Sequence, residues 1–259
     1  MIQCSNNSES SIATSPVTRT WIALEQPGPW GQYALDQNGS RLPELIRQHL
    51  TSFDARSILI RSAFRRPHHR NSKSRVLYVA PLMDHPNKVF ELILDDIHDL
   101  LQLSLEDLVK GKYGTPNNST IHFICTNGKR DICCAKNGRT LLDKLNDQGE
   151  IAWESTHLGG HRFAPVHLTL PDGRMWARGG ELRGSSFLTP PEQRLEFELY
   201  RKGIDISRFT FRSEQVSSNS WHVIANDEKQ SYEGIFDFVL EERIESCGKS
   251  QVDGITWKI

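Results

Sequence analysis

The feature that most constrains this chain is a pair of short segments rich in metal-binding side chains. The first reads CTNGKRDICC from Cys125 to Cys134, and the second reads HLGGH from His157 to His161. Three of the five cysteines and two of the ten histidines lie in these segments. Thiolates and imidazoles together can form a four-ligand metal or cluster site, so we expect the function of the chain to lie here.

The spacing of the cysteines predicts a strand, a loop and a helix. Eight residues separate Cys125 from Cys134, which fits neither the Cys-x-x-Cys of a thiol-redox pair nor the close spacing of a zinc finger. Residues Thr120–Ile124 are β-branched and aromatic, as in a strand, and Cys134–Leu145 has helical periodicity. Cys133 and Cys134 are then expected in the first helical turn, where unpaired N–H groups and the helix dipole favour a thiolate.

The two histidines are predicted to lie in a tight loop. A His-x3-His spacing would put both rings on one helical face, but Gly159 and Gly160 disfavour a helix there by roughly 2 kcal/mol. The loop follows a predicted strand, Ile151–Ser155, and precedes a predicted hairpin with strands Val166–Leu170 and Arg174–Arg178. The predicted order is strand, helix, strand, histidine loop and hairpin.

Several motifs make this order more specific. They are CTNGKRDICCA, HLGGHRFAPVHLTLPDG, ELRGSSF and EQRLEFELYR, with LEQPGPWG near the N-terminus. From Trp21 to about Arg201, the chain resembles the sucrase/ferredoxin-like family of thioredoxin-like ferredoxins. The resemblance implies an α/β (α+β) fold with two thioredoxin-like halves, the first of them degenerate, and a small C-terminal α/β extension.

The resemblance also implies a bis-histidinyl, non-Rieske 2Fe-2S cluster. Its ligands would be Cys125, Cys134, His157 and His161, and its role would be intracellular electron transfer. Neutral imidazoles in place of two thiolates should raise the cluster potential, and they can couple the electron to a proton. The partner would be a redox protein, either a reductase or an electron acceptor, which the sequence does not identify.

Six residues near these ligands are candidates for supporting the site: Asn127, Arg130, Asp131, Cys133, Gly159 and Gly160. Arg130 and Asp131 either orient the cysteine loop and tune the cluster, or form a solvated pair in a turn. Cys133 is either a buried apolar thiol or a substitute for Cys134. Many relatives carry His where this chain has Asn127, and an amide is a poor metal ligand.

Other functions remain open on donor chemistry. One tetrahedral zinc ion suits two thiolates and two imidazoles as well as an iron–sulfur cluster does, and only the family resemblance favours the cluster. The alternatives are a zinc-binding structural or interaction module on the same four ligands and a thiol-redox protein that pairs Cys125 with Cys134. No pair of carboxylates stands out as glycoside hydrolysis would require, so sucrase activity is not carried over. We expect an electron carrier rather than an enzyme.

The four predicted parts of the chain are a disordered tail (residues 1–20), a degenerate thioredoxin-like half without a cluster (21–115), a thioredoxin-like 2Fe-2S ferredoxin domain (116–205) and a β-rich extension (206–259). The tail is rich in Ser and Thr and lacks the apolar core of a signal peptide. In the first half, Pro27–Gly31 takes the place of the cysteine loop, and this half is expected to shield the second. A basic run from Arg65 to Arg70 is either a solvated loop or a docking patch for an acidic redox partner.

Charge and cysteine content limit the partners and the compartment. The formal net charge of −1 over 259 residues gives no reason to expect nucleic acid or a membrane surface as partner. No apolar run approaches the roughly 20 residues needed to span a bilayer. An odd cysteine count, with Cys4 and Cys247 expected as free thiols, indicates a reducing compartment, by default the cytoplasm.

Overall fold

The computed structural model describes residues 5, 8–36, 41–52, 54–62, 73–244 and 251–258. Its strands are β1 (Thr20–Glu25), β2 (Arg56–Ser62), β3 (Arg75–Pro81), β4 (Val89–Leu94), β5 (Thr115–Asn117), β6 (Ile121–Cys125), β7 (Ile151–Ser155), β8 (His167–Leu170), β9 (Arg174–Ala177), β10 (Glu181–Ser185), β11 (Thr210–Ser217), β12 (Ser220–Asn226), β13 (Ser231–Ile244) and β14 (Gln251–Trp257). Its helices are α1 (Glu44–Thr51), α2 (Leu105–Val109), α3 (Ile132–Asp147) and α4 (Pro190–Arg201), with 3-10 helices at Ile97–Gln102 and His161–Phe163. This mixed structure is consistent with the predicted α/β class.

The strands form two sheets. Strands β1 to β10 make one large mixed sheet in the order β10-β9-β8-β6-β7-β2-β1-β3-β4-β5. Strands β11 to β14 make a second, antiparallel sheet in sequence order. The second sheet packs on α4, where Leu195 and Leu199 share a small core with Val223 and Ala225.

The large sheet contains two halves with the same strand order. In the first half, β1 pairs in parallel with β2 and antiparallel with β3, which pairs with β4. In the second half, β6 pairs in parallel with β7 and antiparallel with β8, which pairs with β9. The halves join edge to edge, because residues 60–62 of β2 pair with residues 153–155 of β7. Glu25 and Cys125, the last residues of β1 and β6, therefore hold equivalent positions.

The cysteines lie at the end of a core that both halves share. Alternate residues of a strand face opposite sides of a sheet. On one side, Trp21 and Ile58 of the first half and Phe123 of the second belong to a buried cluster that also contains Cys125 and Cys134. On the other side, each half has a core of its own, under α1 in the first half and under α3 in the second.

Most of the predicted elements are confirmed. The strand predicted at Thr120–Ile124 is β6, the predicted hairpin is β8–β9, and the helix predicted from Cys134 is α3, which begins two residues earlier. The sequence also predicts that residues 97–108 are helical, and the structure has helix there in two separate pieces. The segment divides into a 3-10 helix and the short α2, because the Ser104 hydroxyl accepts the N–H of Asp107 and caps a new helix.

The N-terminal segment lies against the second half of the chain. Residues 8–19 have neither helix nor strand, but the Glu9 carboxylate binds Arg162, and the Gln193 amide bonds to both the N–H and the C=O of Ser15. Where the sequence predicts disorder for residues 1–20, the structure therefore gives residues 8–19 a fixed path. The partners lie far away in sequence, so the composition of the segment does not reveal them.

Some predictions concern residues outside the described ranges. These residues are 1–4, 6 and 7 of the predicted tail, the basic run at 65–70, and Cys247. Within the described ranges, no helix is long and apolar enough to cross a membrane.

Candidate metal centre

A tight turn brings the two outer cysteines of the first segment together. Cys125 is the last residue of β6, and Cys134 is the third residue of α3. Between them, the N–H groups of Arg130 and Asp131 both donate to the carbonyl of Asn127, at 3.1 and 3.3 Å. This turn closes the loop, so the end of β6 lies beside the start of α3, as the cysteine spacing predicts.

Asp131 caps the helix that carries the cysteines. Its carboxylate accepts the N–H of Cys133 at 2.9 Å, and its side chain is almost completely buried. The other carboxylate oxygen lies 3.9 Å from Nε2 of His161. Asp131 is thus a buried helix cap and not a solvated residue. Such a cap stabilises a helix by about 0.5–2 kcal/mol.

The first half of the chain contacts the cysteine loop. Asn127 is buried, and its amide donates to the carbonyl of Gly31 at 2.9 Å. The guanidinium of Arg130 lies over the ring of Tyr33, 4.7 Å from the ring centre. Both contacts connect the cysteine loop to the segment that follows β1.

The histidine segment is a tight loop, as predicted. Gly159 and Gly160 have φ angles of 91° and 76°, in the left-handed region that favours glycine. The chain reverses there, and His161 begins the 3-10 helix. Nδ1 of His161 consequently lies 3.5 Å from Nε2 of His157, with ring centres 5.2 Å apart.

Three of the four predicted ligands form a close group. Among the described residues, one donor atom each from Cys125, Cys134 and His157 lies within 4.8 Å of the others. The Sγ of Cys125 is 3.8 Å from Nδ1 of His157. His161 lies beside His157 but is not part of this group, and Cys133, which is buried, is not part of it either.

The two thiols of the group differ in acidity. The pKa of Cys125 is held well below its usual value, first by the hydrogen bond from the Cys134 thiol and then by His157, against the effect of burial. The pKa of Cys134 is raised well above its usual value by the same hydrogen bond and by burial. Cys134 therefore keeps its proton more strongly than Cys125 does, and a metal that binds there must displace that proton.

Two further residues shape the site, although the sequence motifs predict a role there for neither of them. Arg183, from the ELRGSSF motif, is 3% exposed, and its Nη1 donates to the carbonyl of Gly159 at 3.0 Å. Gly138 in α3 packs directly on the end of β6, where a Cβ would clash with the backbone oxygen of Cys125. The sequence signal that could have indicated the contact between Gly138 and Cys125 is a glycine on the buried face of an amphipathic helix.

Comparison with known proteins agrees with the resemblance. A model of the sucrase/ferredoxin-like family matches residues 11–192, more than two thirds of the 259 residues. The chain belongs to the sucrase/ferredoxin-like family. No match was found among curated proteins or among solved structures. The sucrase/ferredoxin-like region includes both halves of the large sheet and both ligand segments, and its start lies within the N-terminal segment that packs on the second half.

Proposed function

We propose that this protein transfers electrons with a 2Fe-2S cluster held by Cys125, Cys134, His157 and His161. The observation that carries the proposal is the meeting of two thiols and an imidazole, with a second imidazole beside them, in a sucrase/ferredoxin-like chain. When bound, such a cluster accepts and releases one electron.

The donor set fits a cluster. A 2Fe-2S site with two cysteine and two histidine ligands needs both thiols deprotonated and both imidazoles neutral. Cys125 already favours the thiolate, and the Cys125–Cys134 hydrogen bond keeps the two sulfurs together before a metal arrives. The adjacent rings of His157 and His161 are suited to a pair of ligands on one iron.

The four proposed ligands differ in their exposure to solvent. Cys125, Cys134 and His161 are at most 4% exposed, whereas His157 is partly exposed. We therefore propose that a redox partner approaches at His157. A histidine ligand keeps one ring nitrogen away from the metal, where a proton can bind or leave, so the electron can be coupled to a proton. Retention of two thiolates suits a reducing compartment, which we propose is the cytoplasm.

The fold supports the same proposal. The two halves share one strand order, and we propose that both are thioredoxin-like, with the ferredoxin site in the second half alone. At the position equivalent to Cys125, the first half has Glu25, whose carboxylate accepts the N–H of Val76 at 3.1 Å. The chemistry is therefore assigned to residues 116–205, and the first half, residues 21–115, acts as its support.

The first experiment is a visible absorption spectrum of protein purified without oxygen, with iron, sulfide and zinc measured per chain. A coloured protein with about two irons and two sulfides is the expected result. A colourless protein with one zinc ion would replace the proposal by a structural zinc module, because zinc has no visible absorption and suits the same donors. A metal-free chain with a Cys125–Cys134 disulfide would favour a thiol-redox protein.

Adjacent cysteines provide a matched test of the ligands. Cys134→Ala should lose the metal, whereas Cys133→Ala, which removes a buried thiol outside the close group, should retain it. Equal metal content in both variants would contradict the assignment.

His161→Cys tests the fourth ligand. A third thiolate adds negative charge, so the variant should keep its cluster at a lower potential with a weaker dependence on pH. The midpoint potential of the wild type and of the variant is measured as a function of pH. A potential equal to that of the wild type would remove His161 from the ligand set.

A further inference from the structure

A second site lies between the histidine loop and the C-terminal sheet. A cavity of about 500 Å³ is bordered there by Gly159 and Gly160 on one side and by β13 and β14 on the other. Three arginines line it, and we call it the arginine pocket (Arg162, Arg183 and Arg243). Its volume is within the range of about 300–1,000 Å³ that is typical of small-molecule sites.

Arg183 has a buried charge without a carboxylate partner. It donates to Oγ1 and the carbonyl of Thr14 and to the carbonyl of Gly159, all neutral acceptors. Among the residues that the structure describes, no carboxylate lies within salt-bridge distance of it. The pKa of Arg183 is lowered to about 9, first by burial and then by the charges of Arg162 and Arg56, while the charge of Glu9 acts in the opposite direction. A buried cation is normally paired, because removing it from water is costly.

The two neighbouring arginines both bind the carboxylate of Glu9, through Nε of Arg162 at 2.8 Å and Nη1 of Arg243 at 3.3 Å. The Nε of Arg243 is buried, with no hydrogen-bond acceptor within the described ranges. Asp253 is the one acidic residue among those described as lining the cavity. Among the described residues, neither Glu9 nor Asp253 lies within salt-bridge distance of Arg183, whose buried charge therefore has no carboxylate beside it there.

The lining of the arginine pocket also includes apolar side chains. Leu240 and Ile255 line the pocket and are 66% and 45% exposed, and Trp257 lies beside them. A cavity lined by both guanidinium and apolar groups suits a ligand with a negative head and an apolar body. Arginine in particular binds planar carboxylates and phosphates, because its N–H groups match their oxygens in pairs.

We propose that the arginine pocket binds a small organic anion, a carboxylate or phosphate ester that carries an apolar body. None of the three arginines is among the proposed metal ligands, so this inference does not depend on the identity of the metal. A ligand in the pocket would contact Gly159 and Gly160, in the loop between His157 and His161.

The test uses the full chain and four probes in calorimetric titrations at low ionic strength. Phenyl phosphate and benzoate carry both features, inorganic phosphate lacks the apolar body, and benzyl alcohol lacks the charge. We expect phenyl phosphate or benzoate to bind more tightly than the other two, and the tighter of them identifies the head group. No binding of either, or equally tight binding of benzyl alcohol, would overturn the proposal.

Two matched variants locate the binding. Replacing Arg183 could prevent folding, so the sharper change is Ile255→Glu, which places a carboxylate at an exposed position of the pocket. Repulsion should weaken binding of the anionic probe about tenfold or more. Ile235→Glu is the control, because Ile235 is 67% exposed in the same sheet but does not line the pocket. Equal affinities in the two variants would place the probe elsewhere and refute the assignment.

Discussion

Replacement of Gly160 by alanine tests how the histidine loop is built. Gly160 has a φ of 76°, and a Cβ there would lie 2.7 Å from Nη2 of Arg183, inside the 3.0 Å that real Cβ contacts keep. Arg183 is held by its bonds to Thr14 and Gly159, so it cannot easily move aside. The loop must shift instead, and it carries His157 and His161.

The expected magnitude has two parts. A left-handed backbone costs a non-glycine residue about 1–2 kcal/mol. Forcing a methyl group into a filled site costs a further 1–3 kcal/mol or so, giving a total loss of about 2–5 kcal/mol for Gly160→Ala. For a chain of this size, each kcal/mol lowers Tm by about 2–4 °C. Metal–ligand distances tolerate only about 0.2 Å, so the metal content per chain should also fall.

Gly179→Ala separates the two parts. Gly179 has nearly the same φ, 78°, but no atom lies within 4 Å of its Cβ position. It should therefore lose only the backbone contribution, about 1–2 kcal/mol, and keep its metal. Thermal unfolding and metal analysis of both variants check this. Equal losses of Tm with unchanged metal in both would refute the contact between Gly160 and Arg183 as a determinant of the loop.

Two further changes address the helix cap and a buried histidine. Asp131→Ala removes the cap on Cys133 and should lower the free energy of unfolding by about 1 kcal/mol in urea, whereas Asp143→Ala on the exposed face of α3 should change it by less than about 0.5 kcal/mol. Burial, and to a lesser extent the charge of His122, lowers the pKa of His167 from 6.5 to about 3, so its contribution to stability is complete above pH 6.5 and is lost as the pH falls towards 3. Between pH 7.5 and 5.0 this loss is about 2 kcal/mol in the free energy of unfolding. The His167→Phe variant should therefore lose about 2 kcal/mol less than the wild type over this pH range, as measured by urea unfolding. An identical pH dependence of the unfolding free energy in variant and wild type would contradict the assignment.

The local parts of the candidate site can be predicted from the sequence alone. The strand into Cys125, the helix from Cys134 and the glycine turn before His161 depend on residues that are neighbours in sequence, and periodicity and turn chemistry describe such segments well. Arg183 could not be placed by these means, since its position under the histidine loop results from the pairing of β9 with β10. The same is true of Asn127, whose partner Gly31 is brought near by the join between β2 and β7.

The first half contacts the candidate metal site, and the proposed ligands all lie in the second half. Its segment after β1 lies at the end of the sheet where the cysteine loop leaves β6, because the two halves share one strand order and meet edge to edge. Across that join, Arg61 of β2 binds the Glu154 carboxylate at 2.8 Å, and Glu154 accepts the hydroxyl of Thr126, the residue after Cys125, at 2.6 Å. The pKa of Glu154 is lowered by Arg61 and Thr126 despite its burial, so the carboxylate remains charged and holds both partners. The first half, which has no thiol at the position equivalent to Cys125, thus restricts the loop that carries the thiols. Such restriction of the ligands would preorganise a metal site.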